Sequence, residues 1–176
     1  MVEEAKYTVV RMIGDIELRQ YESMILASVP GLSDSEGFGI LFRYISGGNR
    51  SREDIAMTAP VVSAAARQEK IAMTAPVVTD RESFAFVLPA NYTMQTAPMP
   101  LDPRVHLIEV KSRLAGVIRF RGHAREALVR RKTTELLNAL RENGLQAISQ
   151  PFLMRYNPPF TPGFLRRNEI GVEVKL

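Results

Sequence analysis

Few side chains here could do chemistry alone. The chain has two histidines, His106 and His123, and no cysteine. Thiolate catalysis, zinc-finger spacing and iron–sulfur ligation are thereby excluded, and a histidine-only metal site is out of reach. One cluster carries dense charge: Arg166, Arg167, Asn168 and Glu169 run directly into an apolar stretch. Two readings of Glu169 follow. It pairs with an arginine and ties the preceding loop to the fold, or it sits unpaired against apolar walls and serves as a general acid/base. No partner nucleophile stands in a recognisable arrangement beside it.

A second feature contains no chemistry at all. The phrase Ile-Ala-Met-Thr-Ala-Pro-Val-Val occurs at 55–62 and again at 71–78. Neither copy holds an acid, base, Cys, Ser or His, so it acts through shape and burial, which points to binding. Met57 and Met73 within it offer sulfur to a soft metal, although a methionine on the larger face of an alternating strand is ordinarily core.

These residues must be positioned by strands and two helices. With 176 residues and 45% hydrophobic composition, residues 1–176 are expected to form a single domain with a core of its own. Strand-like alternation covers 7–12, 16–21, 24–29, 83–88, 105–110, 114–121, 152–156 and 170–174. Both repeat copies read as extended, with Pro60 and Pro76 at an edge, bulge or bend because proline cannot donate to a ladder. Helices are expected over 33–46, opened by Ser33 or Asp34 and stopped by Gly47-Gly48, and over 124–143, stopped by Asn143-Gly144. In the first, Phe38, Leu41, Phe42 and Ile45 form one apolar stripe. The expected core adds Val87, Ile118, Phe120, Leu136, Leu137, Leu140 and Val172. Strands joined by short turns imply an α+β fold with a largely antiparallel sheet.

The net charge of +4 and pI near 9.6 come from clusters, notably Arg125, Arg130, Arg131 and Lys132. They attract anions, whether phosphate, lipid headgroup or carboxylated ligand. No RNA-reading strand motif or helix-turn-helix accompanies them, so no nucleic-acid partner is expected. The acidic N-terminus lacks an apolar signal region and no stretch approaches a membrane span. A cytoplasmic protein is the expectation.

Four ordered motifs resemble the SOUL/heme-binding protein family. They are Gly37-Phe38 with Tyr44-Ile45-Ser46-Gly47-Gly48-Asn49-Arg50, the Ile-Ala-Met-Thr-Ala-Pro-Val phrase, Asp102-Pro103-Arg104-Val105, and Tyr156-Asn157-Pro158-Pro159-Phe160 followed by Leu165-Arg166-Arg167-Asn168-Glu169-Ile170. The resemblance implies a distorted antiparallel β-barrel of two pseudo-symmetric halves with two flanking helices, similar to the GyrI-like fold. It also implies non-covalent binding of heme or a related tetrapyrrole in a shallow apolar groove beside the first helix, as a carrier or buffer.

A porphyrin needs a smooth apolar wall and a cation for its propionates. Opposite the first helix's expected core stripe lie Gly37, Ile40 and Tyr44, a flat patch flanked by Arg43. Alternatively, Ile40 and Tyr44 touch neighbouring loops and Arg43 is solvated. Some animal members of the family carry a histidine ahead of the first helix, but this chain has none before His106. Heme without a protein axial ligand is therefore expected. The alternative of another class is a GyrI-like enzyme or sequestering module for a non-heme apolar molecule, with a deep pocket between the halves and Glu169 or Glu109 pointing inward.

Overall fold

The computed structural model describes residues 3–31, 33–51 and 68–176. The first repeat copy, at 55–62, lies outside them. In chain order the elements are β1 (Glu3–Glu4), β2 (Tyr7–Ile13), β3 (Ile16–Tyr21), β4 (Met24–Pro30), α1 (Asp34–Ile45), β5 (Asn49–Arg50), β6 (Thr74–Thr79), β7 (Ser83–Val87) and β8 (Met99–Pro100), followed by β9 (His106–Val110), β10 (Arg113–Arg121), α2 (Glu126–Glu142), β11 (Gln146–Ala147), β12 (Phe152–Arg155), a 3₁₀ turn (Gly163–Leu165) and β13 (Arg167–Lys175).

Local chemistry sets the boundaries. Ser33 caps α1 in a capping box, accepting from the Glu36 backbone N–H while the Glu36 carboxylate accepts from its own. Gly47, at φ +119°, ends that helix where a side chain would be strained. Gly144, at φ 74°, does the same after α2. The second repeat copy enters β6 as an extended segment, and its register against β7 shifts between Thr74 and Val77, around the proline that cannot donate.

The main sheet runs β2-β3-β10-β13-β12-β6-β7-β4-β9. Its centre is the antiparallel seam of β12 and β6, pairing Met154 with Val78. On one side of the seam lies β6-β7-β4 with α1 packed on β4 and β7; on the other lies β12-β13-β10 with α2 packed on β10 and β13. Each half has the chain order strand, helix, strand, strand. The halves exchange edges, since β3 leads into β4 yet pairs with β10, while β9 leads into β10 yet pairs with β4. The sheet ends on β2 and β9 without closing, giving an open α+β cup, the distorted GyrI-like barrel of two pseudo-symmetric halves.

Alternation along the strands separates the cores. Ile118 and Phe120 of β10 join Leu136 and Leu140 under α2, whereas Ala115 and Val117 face the opposite side with Phe152, Met154 and Tyr21. Under α1, Leu41 and Ile45 pack with Phe84 and Phe86. The expected core holds at Leu41, Ile45, Val87, Ile118, Phe120, Leu136, Leu140 and Val172. Phe38 and Leu137 are only partly buried, and Phe42 is 51% exposed.

Candidate functional site

On the face of the sheet away from the helices, Arg19 of β3 and Glu169 of β13 are fully buried. Arg19 donates from both terminal nitrogens to the two oxygens of Glu169, at 2.7 and 2.9 Å, a fork geometry available only to arginine. Tyr156 donates its hydroxyl to the same carboxylate at 2.7 Å, and Arg119 and Arg167 add longer bonds. Burial alone would push the Glu169 carboxyl up; the hydrogen bonds and charge of Arg19, with Tyr156 and Arg167, outweigh it and hold the group at about 2. Burial raises the Tyr21 hydroxyl to about 12 against the opposing charge of Arg19. Burial and then the Glu169 charge drive the Tyr156 hydroxyl upward as well. Both Glu169 oxygens are saturated, so the carboxylate is a structural anion with no vacancy for general base work. Glu109, the other candidate, is exposed on β9.

Among the described residues, an opening of about 580 Å³ beside α2 carries charged groups such as Asp80, Arg81, Glu126 and Arg130, whereas the largely apolar opening lies beside α1. Phe38 and Phe42 stack with ring centroids 5.8 Å apart and planes 13° from parallel, and Phe38 meets Phe86 edge-on at 5.4 Å. Facing these rings across a cleft are Met73, Val77, Tyr156, Pro159 and Phe160. Two adjoining lobes of about 260 and 340 Å³ share Phe38, Val77, Arg155, Asn157 and Pro159. Their walls are largely apolar and their size suits a small organic ligand. Among the described residues, Arg155 is the cation of the cleft. It donates to Asp34 at 2.6 Å, while its Nε is buried without a partner.

The family model described as SOUL heme-binding protein matches residues 2–173. The chain belongs to the SOUL heme-binding protein family. In fold, this SOUL family chain is similar to the crystal structure of the EcmrR C-terminal domain, at 12% identity and a TM-score of 0.59 over 93% of this chain and 99% of that one. A crystal structure of a hydrolase from Listeria innocua gives 12% identity and 0.53 over 99% and 93%. EcmrR in its DNA complex gives 12% identity and 0.57 over 91% of this chain and 57% of that one. These likenesses are of fold. No curated protein matches the chain in sequence.

Within this SOUL fold, the face expected to form the groove wall is turned inward. Ile40 is 3% and Tyr44 1% exposed, and Tyr44 donates to the Pro98 carbonyl at 2.7 Å. Gly37 does not leave a flat patch for a ligand. It admits the Phe84 ring, whose nearest atom lies 3.0 Å from where a Cβ would stand. Gly37, Ile40 and Tyr44 are therefore buried in this structure rather than open beside α1. The stripes 37/40/41/44 and 38/41/42/45 share the same helical spacing, and only the close approach of β7 selects the first. Arg43 is exposed and near enough to Asp102 to help lower that carboxyl, after the hydrogen bonds of Arg104. Among the described residues, the cation lining the cleft is Arg155 instead.

The residues present suit a tetrapyrrole in part. The stacked phenyl rings and Pro159 supply an apolar wall, and the part-exposed Arg155 guanidinium, paired with Asp34, supplies positive charge for a carboxylate. Axial ligation is less well provided. His106 lies in β9 opposite Ser28, and His123 packs against Gly163; neither lines the cleft. Tyr156 turns its hydroxyl to Glu169, leaving Met73 as the cleft's sulfur among the described residues. Met57 lies outside them. Phe38 and Phe42 share the spacing of a core stripe, and nothing local to Arg155 shows that β12 pairs with β6, so the sequence alone does not single out the aromatic pair or the arginine.

Proposed function

We propose that the protein binds heme or a related tetrapyrrole non-covalently in the cleft between α1, β6 and residues 155–160, as a carrier or buffer. The observation that carries this is the partly exposed Phe38–Phe42 stack opposite Pro159 and Phe160, with Arg155 between the two lobes. The macrocycle would lie against the phenyl rings and exclude water from both surfaces. A propionate would compete with Asp34 for the Arg155 guanidinium. When bound, heme supplies a redox-capable iron; the chain's residues supply burial, orientation and a counter-charge. Without a histidine in the cleft, affinity rests on apolar burial and one charge contact, which corresponds to micromolar dissociation. Hemin titration tests this: a saturable Soret shift is expected, unchanged within a few-fold in His106→Ala/His123→Ala. Loss of binding in a single histidine variant would replace the cleft with a histidine-ligated site.

The competing reading, a GyrI-like enzyme or sequestering module for another apolar molecule, needs a deep pocket between the halves. The residues that would line it, Arg19, Glu169, Tyr21, Met154 and Phe152, fill that space with one another. The external cleft is the better supported site.

A further inference from the structure

The loop between β12 and β13 holds its apolar side chains in water. Phe160 is 87%, Phe164 75% and Leu165 51% exposed. Isolated exposed hydrophobics are ordinary, but these occur within six residues of one another on a backbone that cannot fold them inward. Pro158, Pro159 and Pro162 limit its dihedrals. The Arg166 guanidinium occupies the loop's interior, donating to the Thr161 carbonyl at 2.8 Å and to that of Pro159. Gly163 sits against the His123 ring, and the Asn157 side chain accepts from the Arg167 N–H at 2.6 Å. Thus both ends and the middle are pinned while the rings remain outside.

The exposed charge on the α2 side of this tip is basic, whereas on the α1 side Arg155 and Arg167 are each paired with an acid, Asp34 and Glu4. Gly122 donates to the Arg166 carbonyl and accepts from Asn168, so the start of α2 lies against the loop. Arg121 and Arg125, both exposed, flank that contact. No Asp or Glu occurs from residue 113 to 125 or from 155 to 168; Glu126, next along, is paired with Arg130, and Asp15 of the β2–β3 turn is the acid at the neighbouring hairpin. We propose that this tip, Phe160, Phe164 and Leu165 with Arg121 and Arg125, docks on an anionic lipid bilayer. Aromatic and leucine side chains enter the headgroup–acyl boundary while arginines meet lipid phosphates, and the two together give a binding strength neither gives alone. Phe160 also lines the α1 cleft, so docking brings the cleft mouth to the membrane. Exchange of a tetrapyrrole with the bilayer rests on the function proposed above, whereas docking does not.

Flotation of the ligand-free protein with vesicles tests the docking. The parent is expected to float with phosphatidylcholine vesicles containing about one-third phosphatidylserine, to stay behind with pure phosphatidylcholine, and to release as salt screens the arginines. Phe164→Ser/Leu165→Ser and, separately, Arg121→Ala/Arg125→Ala should each weaken flotation by ~10-fold or more, with unchanged denaturation midpoints. Their hemin affinity in vesicle-free buffer should equal the parent's, a readout that fails independently if the tetrapyrrole reading is wrong. A parent that ignores anionic vesicles overturns the docking, including one that instead binds RNA. So does a Phe164→Ser/Leu165→Ser protein that floats like the parent, which would reduce the effect to general attraction of a basic protein.

Discussion

Burying Arg19 and Glu169 together removes two ions from water at a cost of several kcal/mol each, and the recovery depends on filling every lone pair of the carboxylate. Removing one partner is therefore expensive. Glu169→Gln is expected to destabilise the fold by about 3 to 5 kcal/mol, measured by urea denaturation. The same carboxyl predicts an acid transition. Its folded value, about 2, lies below the 4.5 of an unperturbed glutamate, so the stabilisation is complete above pH 4.5 and is lost as pH falls towards 2. The loss is on the order of 3 kcal/mol. Denaturation midpoints of the parent should fall through that window, and those of Glu169→Gln should not show this component. The pairing of Glu169 with an arginine was legible from its Arg166-Arg167 neighbours, but the dominant partner was not. Arg19 is 150 positions away, and only the sheet order brings β3 and β13 to the two sides of β10.

Helix α1 shows how far periodicity reaches at the scale of an element. Its limits, its capping box and its glycine stop were readable because each depends on residues within one turn. Its rotation about its own axis was not, since two overlapping stripes satisfy the same spacing and β7 decides between them. The assignment makes the two faces experimentally different. Tyr44→Phe should cost about 1 kcal/mol by orphaning the Pro98 carbonyl and leave hemin affinity within a few-fold. Gly37→Val should cost about 2 kcal/mol, because its methyl groups meet the Phe84 ring where even a Cβ is tight. Phe42→Ala, on the open face, should cost about 1 kcal/mol or less. Thermal denaturation of the three variants ranks them, and a Phe42→Ala cost above that of Gly37→Val would mean the helix is rotated the other way. Strand positions were legible by alternation, whereas the second wall of the cleft, from Met73 to Val77 and Arg155 to Phe160, joins segments that only the β6–β12 pairing brings together.

For the whole molecule, pseudo-symmetry explains both where a ligand is excluded and where one fits. Two strand-helix-strand-strand units meet at a seam whose inner face is closed by an ion cluster and Met154, so the deep site between the halves is filled. Each helix covers only its own half, and on the α1 side the seam leaves an apolar cleft with one incompletely paired arginine. The family match establishes kinship, and the cleft is where we propose that a tetrapyrrole lies. Hemin titration, followed at the Soret band in the parent, Phe42→Ala/Arg155→Met and Tyr44→Phe, tests the placement most directly. The account predicts saturable binding in the parent and in Tyr44→Phe, with affinity lowered ~10-fold or more in Phe42→Ala/Arg155→Met, equivalent to about 1.4 kcal/mol. Equal affinity in the parent and Phe42→Ala/Arg155→Met, or a collapse confined to Tyr44→Phe at unchanged stability, would contradict it.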